Sequence, residues 1–505
     1  MKVRYLAPVV AVAVSLAAGV LFLEVAFRIV DHQPLTRLTL TAAKATGSPM
    51  TPAGRQPDLK YVETTPLGPG VNRSWYGEQP QPRPEYGMDS DLAARAASYP
   101  DDPYTPFFEF NRQYLRQQIC GGHGDVFGGL QDFFYFDPID ANTFPTFRHL
   151  RHASLPSWFV TNNFGWRGPD VDLNRPAGVI RIAFVGASTT SDSYGAPFSH
   201  PELIEPWLNE WARARGLPDR FEVINAGRTG IDSRSMEAIV RTELLPVDPD
   251  LVVFYGEANQ FTPGSVLHTP LKQLFPKPPA AAREHTALDR NSALARRLLF
   301  AWDRFRGGNG EEPSKPPGVV TWPSGVSESD PDPYDRRLPM DLPRVVANLD
   351  GMRAALAPSG GELAVSSFIW LAHGGLKLDR QRHAGIYRYL NETFWPIPYA
   401  HIRRMADFQN RVLEQYARRT GAPFVDIARE FPPDPDLFED PVHLNPAGLH
   451  LEAWEYFQHL VRMADERIAA RRWPRPARSA QPVHPAFRDV TRRIMSRAAV
   501  VAQCP

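Results

Sequence analysis

The stretch AFVGASTTSDSYG, residues 183–195, carries Ser188 where a run of apolar residues stops, with one residue between it and Gly186. A hydroxyl there is either a nucleophile held at the end of a buried strand or a small polar residue in a turn, and a lone G-x-S does not separate the two. A serine attacks poorly until a base takes its proton, and an imidazole has a reference pKa near enough to neutrality for that work. Three later polar segments offer partners: NAGRTG with Gly230, YGEANQ with Asn259, and DPVHLNPAG with Asp440 and His443. Each candidate also has a plain structural use. Ser188 can cap a helix, Gly230 can make a turn and Asn259 can close an Asx-turn. Asp440 and His443 can belong to the turn before NPAGLHLEAWEYF, a helix whose start is signalled by Asn445 and Pro446.

Elements that could bring these segments together are legible. Five short runs are rich in β-branched or aromatic residues: VIRIAFVG (179–186), FEVINAG (221–227), DLVVFYG (250–256), ELAVSSFIWL (362–371) and APFVDIA (422–428). Most lack polar alternation, as expected of strands buried on both faces of a parallel sheet. Helical spacing lies between them. Leu203, Ile204, Trp207, Leu208 and Trp211 repeat it before Gly216; Met236, Ile239, Val240 and Leu244 repeat it before Pro246. Pro343 suits a first helical turn after Asp341, with Val345, Leu349, Met352 and Leu356 on one face, and Phe408, Val412 and Tyr416 precede Gly421. This alternation predicts an α/β fold, a doubly wound five-stranded parallel sheet with right-handed crossovers. Such sheets carry their sites at the carboxyl ends of the strands, which is where Ser188, the 225–230 segment, Asn259 and the 440–448 segment fall.

Lysines plus arginines and aspartates plus glutamates number 56 each among 505 residues, so no global field argues for nucleic acid or an acidic substrate. The 51 prolines concentrate in 49–107, 263–343 and 473–485 and imply long irregular connections. Residues 260–342 interrupt the strand and helix rhythm and read as a lid or partly mobile insertion. The chain therefore divides into residues 1–30, a Pro- and aromatic-rich segment 31–160 of unassigned fold, an α/β domain 161–472 and a basic tail 473–505. The tail RIAARRWPRPARS reads as a solvated helix end, because no long apolar face matches its charges.

From Leu6 to Leu23 the chain is uncharged and predominantly apolar, with Lys2 and Arg4 ahead of it. That length and flank predict a transmembrane anchor with the N-terminus in the cytoplasm and everything after Glu24 outside. A cleaved signal peptide is the competing reading, with Ala17 and Ala18 near a cleavage site; the long apolar run favours the anchor. Cys120 and Cys504 are the two cysteines, whose pairing is left open, and CGGHGD with Cys120 and His123 lacks the further ligands of a zinc site.

The four polar segments, with Ser188, Gly230, Asn259 and the Asp440 and His443 pair in this order, resemble the blocks of the SGNH hydrolase superfamily, the GDSL-like esterases and lipases. The resemblance covers roughly residues 160–460. VTNNFGWRGPDVDLNRPAGVIRIAFVGASTT is similar to membrane-anchored bacterial members, which have an Asn-x-x-Gly-x-Arg-Gly segment ahead of a G-x-S-T-T block. It implies that Ser188 is the nucleophile, His443 its base and Asp440 the residue that fixes the imidazole. Backbone N–H groups of Ser188 and Gly230 and the side-chain amide of Asn259 would then form the oxyanion hole. The implied protein is a serine esterase acting through an acyl-enzyme, without metal or organic cofactor, on an ester-bearing small molecule or the O-acetyl groups of an envelope glycan. Carbohydrate O-acyl transfer uses the same residues, and a glycan-binding homologue without turnover, with Trp75 and Tyr76 as candidate aromatics, is the reading from another class. The chain departs from the family at Ala187, where an aspartate usually precedes the serine, and at Glu257, where a glycine usually stands two residues before the asparagine. Asp192 and His200 lie nearer Ser188 in sequence but outside the family positions, and surface roles are expected of them.

Overall fold

A computed structural model of the chain describes residues 6–30, 57–81, 83, 149, 152, 154–155, 159–192, 196–256, 259, 292–295, 297–298, 322–379, 382–392, 394 and 397–476. Both cysteines, His123, Glu257 and most of residues 260–321 lie outside them. The chain divides into one unit of residues 1–46 with 269–318 and a second of residues 47–268 with 319–505.

In the first unit, helix α1 spans Leu6–Val30. Among the described residues, no helix is long and apolar enough to cross a membrane. Glu24 of this helix accepts hydrogen bonds from the backbone N–H groups of Ala293 and Leu294 at 3.0 and 2.9 Å and from the Ser292 hydroxyl at 2.8 Å. A carboxylate there satisfies N–H groups that a helix start leaves without internal partners.

The second unit holds the sheet. Strands β1 (Val179–Gly186), β2 (Arg220–Asn225), β3 (Leu251–Tyr255), β4 (Glu362–Ser366) and β5 (Phe424–Val425) pair in parallel in the order β2-β1-β3-β4-β5. Every residue of β1 and β3 is buried, so both faces are covered, as their unbroken apolar runs predict. The order reverses between β1 and β3, which makes the carboxyl ends of those two strands the switch point. Phe184 stands opposite Asn225 and Gly186 opposite Tyr255, so the loops after β1, β2 and β3 leave at one edge.

After β1 come the single-turn helix α2 (Ser188–Ser191) and α3 (His200–Ala214), the latter burying Leu203, Ile204, Trp207, Leu208 and Trp211. Each such side chain contributes about 1.5–3 kcal/mol on full burial, which fixes the face α3 turns inward. Helix α4 (Ser233–Ile239) follows β2, and α5 (Leu342–Leu356), α6 (Tyr399–Thr420) and α7 (Pro446–Ala469) complete the layers. Helix α7 packs on α3, and α5 packs on α4.

Three sequence expectations change in detail. The pattern ending at Pro246 is not one helix: α4 stops at Ile239, and a wider turn, Val240–Leu244, follows. That turn buries Glu243, which receives Trp166 Nε1 at 3.0 Å and pairs with Arg228. The fourth strand ends at Ser366 rather than Leu371, because its neighbour β5 offers only two residues to pair with. The basic tail is not solvated as far as residue 476. Arg467 pairs with Glu362 at 2.6 Å, Trp473 is buried, and Arg475 reaches Asp250 at 3.1 Å, so the carboxylates at the amino end of the sheet draw it in.

The Pro-rich regions contribute described structure too. Thr65 donates to Glu455 at 2.7 Å, the Gly68 N–H to Gln458 at 2.8 Å, and Tyr76 stacks on His450 of α7, so Tyr76 is core. Within the expected lid, residues 322–342 are held on α6, where Trp322 meets Phe408 edge-on and Arg404 pairs with Glu328 at 2.6 Å.

Candidate active site

Ser188 begins α2 directly beyond the end of β1, and it is buried with its hydroxyl 2.8 Å from Nε2 of His443. His443 Nδ1 lies 2.7 Å from Oδ2 of Asp440. A carboxylate can only accept, so Nδ1 carries the proton and Nε2 presents its lone pair to the serine O–H. Asp440 serves the turn with one oxygen and faces the imidazole with the other. Its Oδ1 accepts the N–H groups of Val442 and His443 at 2.8 and 2.9 Å and builds the turn, while Oδ2 faces the imidazole. That turn is closed by Glu439 N–H donating to the His443 carbonyl at 2.9 Å, and Asn445 caps α7 immediately after it through the N–H groups of Ala447 and Gly448.

The loop after β2 is locked onto α2, the helix that carries Ser188. Asn225 Nδ2 donates to the Thr190 carbonyl at 2.7 Å, and the hydroxyls of Ser191 and Thr229 meet at 3.2 Å. Gly227 permits this closeness, since a Cβ there would stand 2.6 Å from the Ser191 nitrogen. Three residues on, Gly230 has φ +75°, a conformation that costs glycine little and other residues more. Asn259 Nδ2 donates to the carbonyl of Ile231 at 2.7 Å, which ties the third segment to the second. The geometry thus unites Ser188, His443 and Asp440 directly, and joins Gly230 and Asn259 to the same loop cluster. Ala187 is buried and directly precedes α2.

Asp192 and His200 correct the expectation of surface roles. Both are buried, and Asp192 Oδ2 accepts the backbone N–H of His200 and faces its Nδ1, each at 2.9 Å. Glu452 of α7 approaches the same ring at 3.5 Å, and a small cavity lined by Ser188, Thr189, Asp192, Tyr255, His443 and Glu452 joins this cluster to Ser188 and His443. Burial pulls the His200 imidazole down, but the Glu452 and Asp192 carboxylates outweigh it and hold it above the usual value. Burial pushes the Glu452 carboxyl well up. Asp192, His200 and Glu452 bring metal-ligand atoms within 4.8 Å of one another, the one such grouping among the described residues. Asp192 Oδ2 is already engaged twice by His200 and the positive field of Arg167 acts on the cluster, so the arrangement suits a shared proton better than a cation. No local signal points to it, because Glu452 lies 252 positions from His200.

The Asn-x-x-Gly-x-Arg-Gly segment also reaches this place. Asn162 Oδ1 accepts the N–H groups of Phe164 and Trp166 at 2.8 and 3.1 Å and shapes a tight turn, after which Arg167 bridges to Asn225.

No family model matches this chain, and no curated protein does. Among solved structures it is similar to a GDSL-like lipase from Bacteroides thetaiotaomicron, at 12% identity over 57% of this chain and 88% of that one, with a TM-score of 0.28. It is similar as well to a catalytic mutant of an acetylxylan esterase from Geobacillus stearothermophilus, at 13% identity over 56% and 94% with a TM-score of 0.30. A lipase/acylhydrolase from Enterococcus faecalis matches at 15% identity over 57% and 96%, with a TM-score of 0.29. At such identities and TM-scores the roles of individual residues have to come from the geometry of the site itself.

Proposed function

We propose that the protein is a serine hydrolase that cleaves carboxylic esters through an acyl-enzyme. The observation that carries this reading is the unbroken chain from Ser188 Oγ to His443 Nε2 at 2.8 Å and from His443 Nδ1 to Asp440 Oδ2 at 2.7 Å. Ser188 Oγ attacks the acyl carbon and His443 Nε2 takes the hydroxyl proton, while Asp440 stabilises the imidazolium. The carbonyl oxygen becomes an oxyanion, which the backbone N–H groups of Ser188 and Gly230 and the second N–H of the Asn259 amide would receive. Collapse breaks the bond to the alcohol, which leaves with the proton from His443. Water then attacks the acyl-serine, with His443 again as base, and releases a carboxylic acid.

Esters rather than amides are favoured by the resemblance to the SGNH superfamily, and an O-acetylated envelope carbohydrate fits an outward-facing enzyme. That placement is supported by the apolar run Leu6–Leu23 behind Lys2 and Arg4, and by the exposure of Val12, Val14, Val20, Leu21 and Phe22 on α1, an apolar surface that a bilayer would cover. A membrane anchor holding the site on the extracytoplasmic side accounts for both.

The test uses the full-length protein in detergent, with p-nitrophenyl acetate and a serine-reactive fluorophosphonate, against Ser188→Ala. Hydrolysis and labelling that disappear in the variant support the reading, and wild-type protein inert to both reagents sinks it. Added acetylated sugar as donor with a carbohydrate acceptor separates the outcomes of acyl transfer and hydrolysis.

A further inference from the structure

We infer that Arg167 is a positioning residue for the nucleophile, acting as a cap on the carboxyl end of the helix that carries Ser188. The inference rests on Ser188 being that nucleophile. Helix α2 is a single turn, held internally by Ser191 N–H to the Ala187 carbonyl and Asp192 N–H to the Ser188 carbonyl, each at 2.9 Å. One turn of helix is not stable by itself, because nucleation fixes several residues for very few hydrogen bonds. A helix leaves its last carbonyls without intrahelical partners, and α2 ends at Asp192, which takes a left-handed conformation, φ 50°.

The Arg167 guanidinium caps that end. Its Nη1 donates to the carbonyls of Ser191, at 3.2 Å, and Asp192, and Nη2 donates to the carbonyl of Ala196 at 2.6 Å. On its other side, Nε lies 3.2 Å from Oε2 of Glu202, the oxygen that also accepts the Ser199 N–H at 2.8 Å at the start of α3. One planar, permanently charged fork thus joins the end of α2 to the beginning of α3. The positive charge falls at the carboxyl end of α2, where it is favoured by the helix dipole. Arg167 is 1% exposed, so water does not compete for these carbonyls. The Asp192 and His200 pair grips the same segment from α3, which leaves Ser188 little freedom to turn from His443.

Arg181 supplies the comparison. It too is a buried arginine that donates to backbone carbonyls, those of Val247 at 2.6 Å and Asp172, and pairs with Glu222 at 2.7 Å, but it sits in the amino-terminal half of β1. The full-length protein is compared with R167Q, R167K, R181Q and S188A by fluorophosphonate labelling rate, by kcat and KM on p-nitrophenyl acetate, and by Tm. R167Q is expected to lose about 100-fold in labelling rate and kcat with KM nearly unchanged, as a small misplacement of a reacting atom does. R181Q should lose Tm without that loss of kcat. R167K keeps the charge without the fork, so it should recover part of the rate; if R167Q does not fold, a fall of about tenfold or more in R167K supports the inference in its place. An R167Q, or failing that R167K, enzyme with wild-type kcat overturns the inference, as does an equal kcat loss in R181Q. Equal labelling of wild type and S188A instead sinks the hydrolase reading, and this inference with it.

Discussion

The Ser188 hydroxyl and Nε2 of His443 lie 2.8 Å apart although 255 positions separate them in the chain. The first is delivered by the end of β1, the second by the turn that leads into α7, and both are buried. Because Asp440 serves the turn with one oxygen and the imidazole with the other, the charge and the turn can be tested separately. Asp440→Asn keeps an oxygen for the N–H groups of Val442 and His443 but loses the carboxylate that selects the tautomer. Its kcat should fall by about 10⁴ with Tm almost unchanged, measured by steady-state kinetics and thermal unfolding. A fully active Asp440→Asn enzyme would remove the carboxylate from the mechanism.

The role proposed for Asn259 is narrower. One amide N–H is spent on the Ile231 carbonyl, which orients the other. Asn259→Ala should lower kcat by about 10²–10³ while KM changes little, the mark of a donor that works only when the oxyanion has formed. A rise in KM with kcat intact would make Asn259 a ground-state binding residue.

The sheet and the side chains that meet beyond its edge are legible in the sequence for physical reasons. Strands buried on both faces must be apolar throughout, so VIRIAFVG and DLVVFYG announce themselves, and the polar segments after them sit where a doubly wound sheet places its site. Asp192 and His200 mislead because polarity in a local window suggests exposure. What buries them is mutual pairing completed by Glu452 on α7, a long-range relationship that no window contains. Arg167 stands in a recognisable segment, yet its task depends on three carbonyls at and beyond the end of α2 that only the folded chain brings to it. Tyr76 is an aromatic candidate by its type alone, and packing against His450 and Trp207 decides that it is core.

Gly227 separates close packing from mere turn formation. A methyl group there would meet the Ser191 nitrogen at 2.6 Å and the Thr190 carbonyl carbon at 2.8 Å, both backbone atoms that cannot swing aside. Gly227→Ala should therefore cost roughly 1–3 kcal/mol of stability and slow fluorophosphonate labelling, because α2 itself has to move. Gly77, with nothing within 4 Å of its would-be Cβ, is the control, and Gly77→Ala should leave labelling unchanged. Equal labelling rates in the two variants would show that the loop after β2 does not hold Ser188 in place.

Glu455 of α7 gives a stability prediction away from the chemistry. It is 4% exposed, accepts a hydrogen bond from Thr65, and burial pushes its carboxyl up to about 7. The unfolded chain releases that proton near the ordinary carboxylate value, about 4.3. Between the two the folded state holds a proton that the unfolded state has lost, so this residue's contribution is present at low pH and disappears as pH rises through about 7. At about 1.4 kcal/mol per pH unit the charged form costs at most about 4 kcal/mol above neutrality. Glutamine carries no charge and still offers an oxygen to Thr65. Glu455→Gln should thus be nearly neutral at about pH 4.5 and stabilising at about pH 8, read from denaturant unfolding at the two pH values; a difference that does not change with pH would mean the buried carboxyl is not the titrating group.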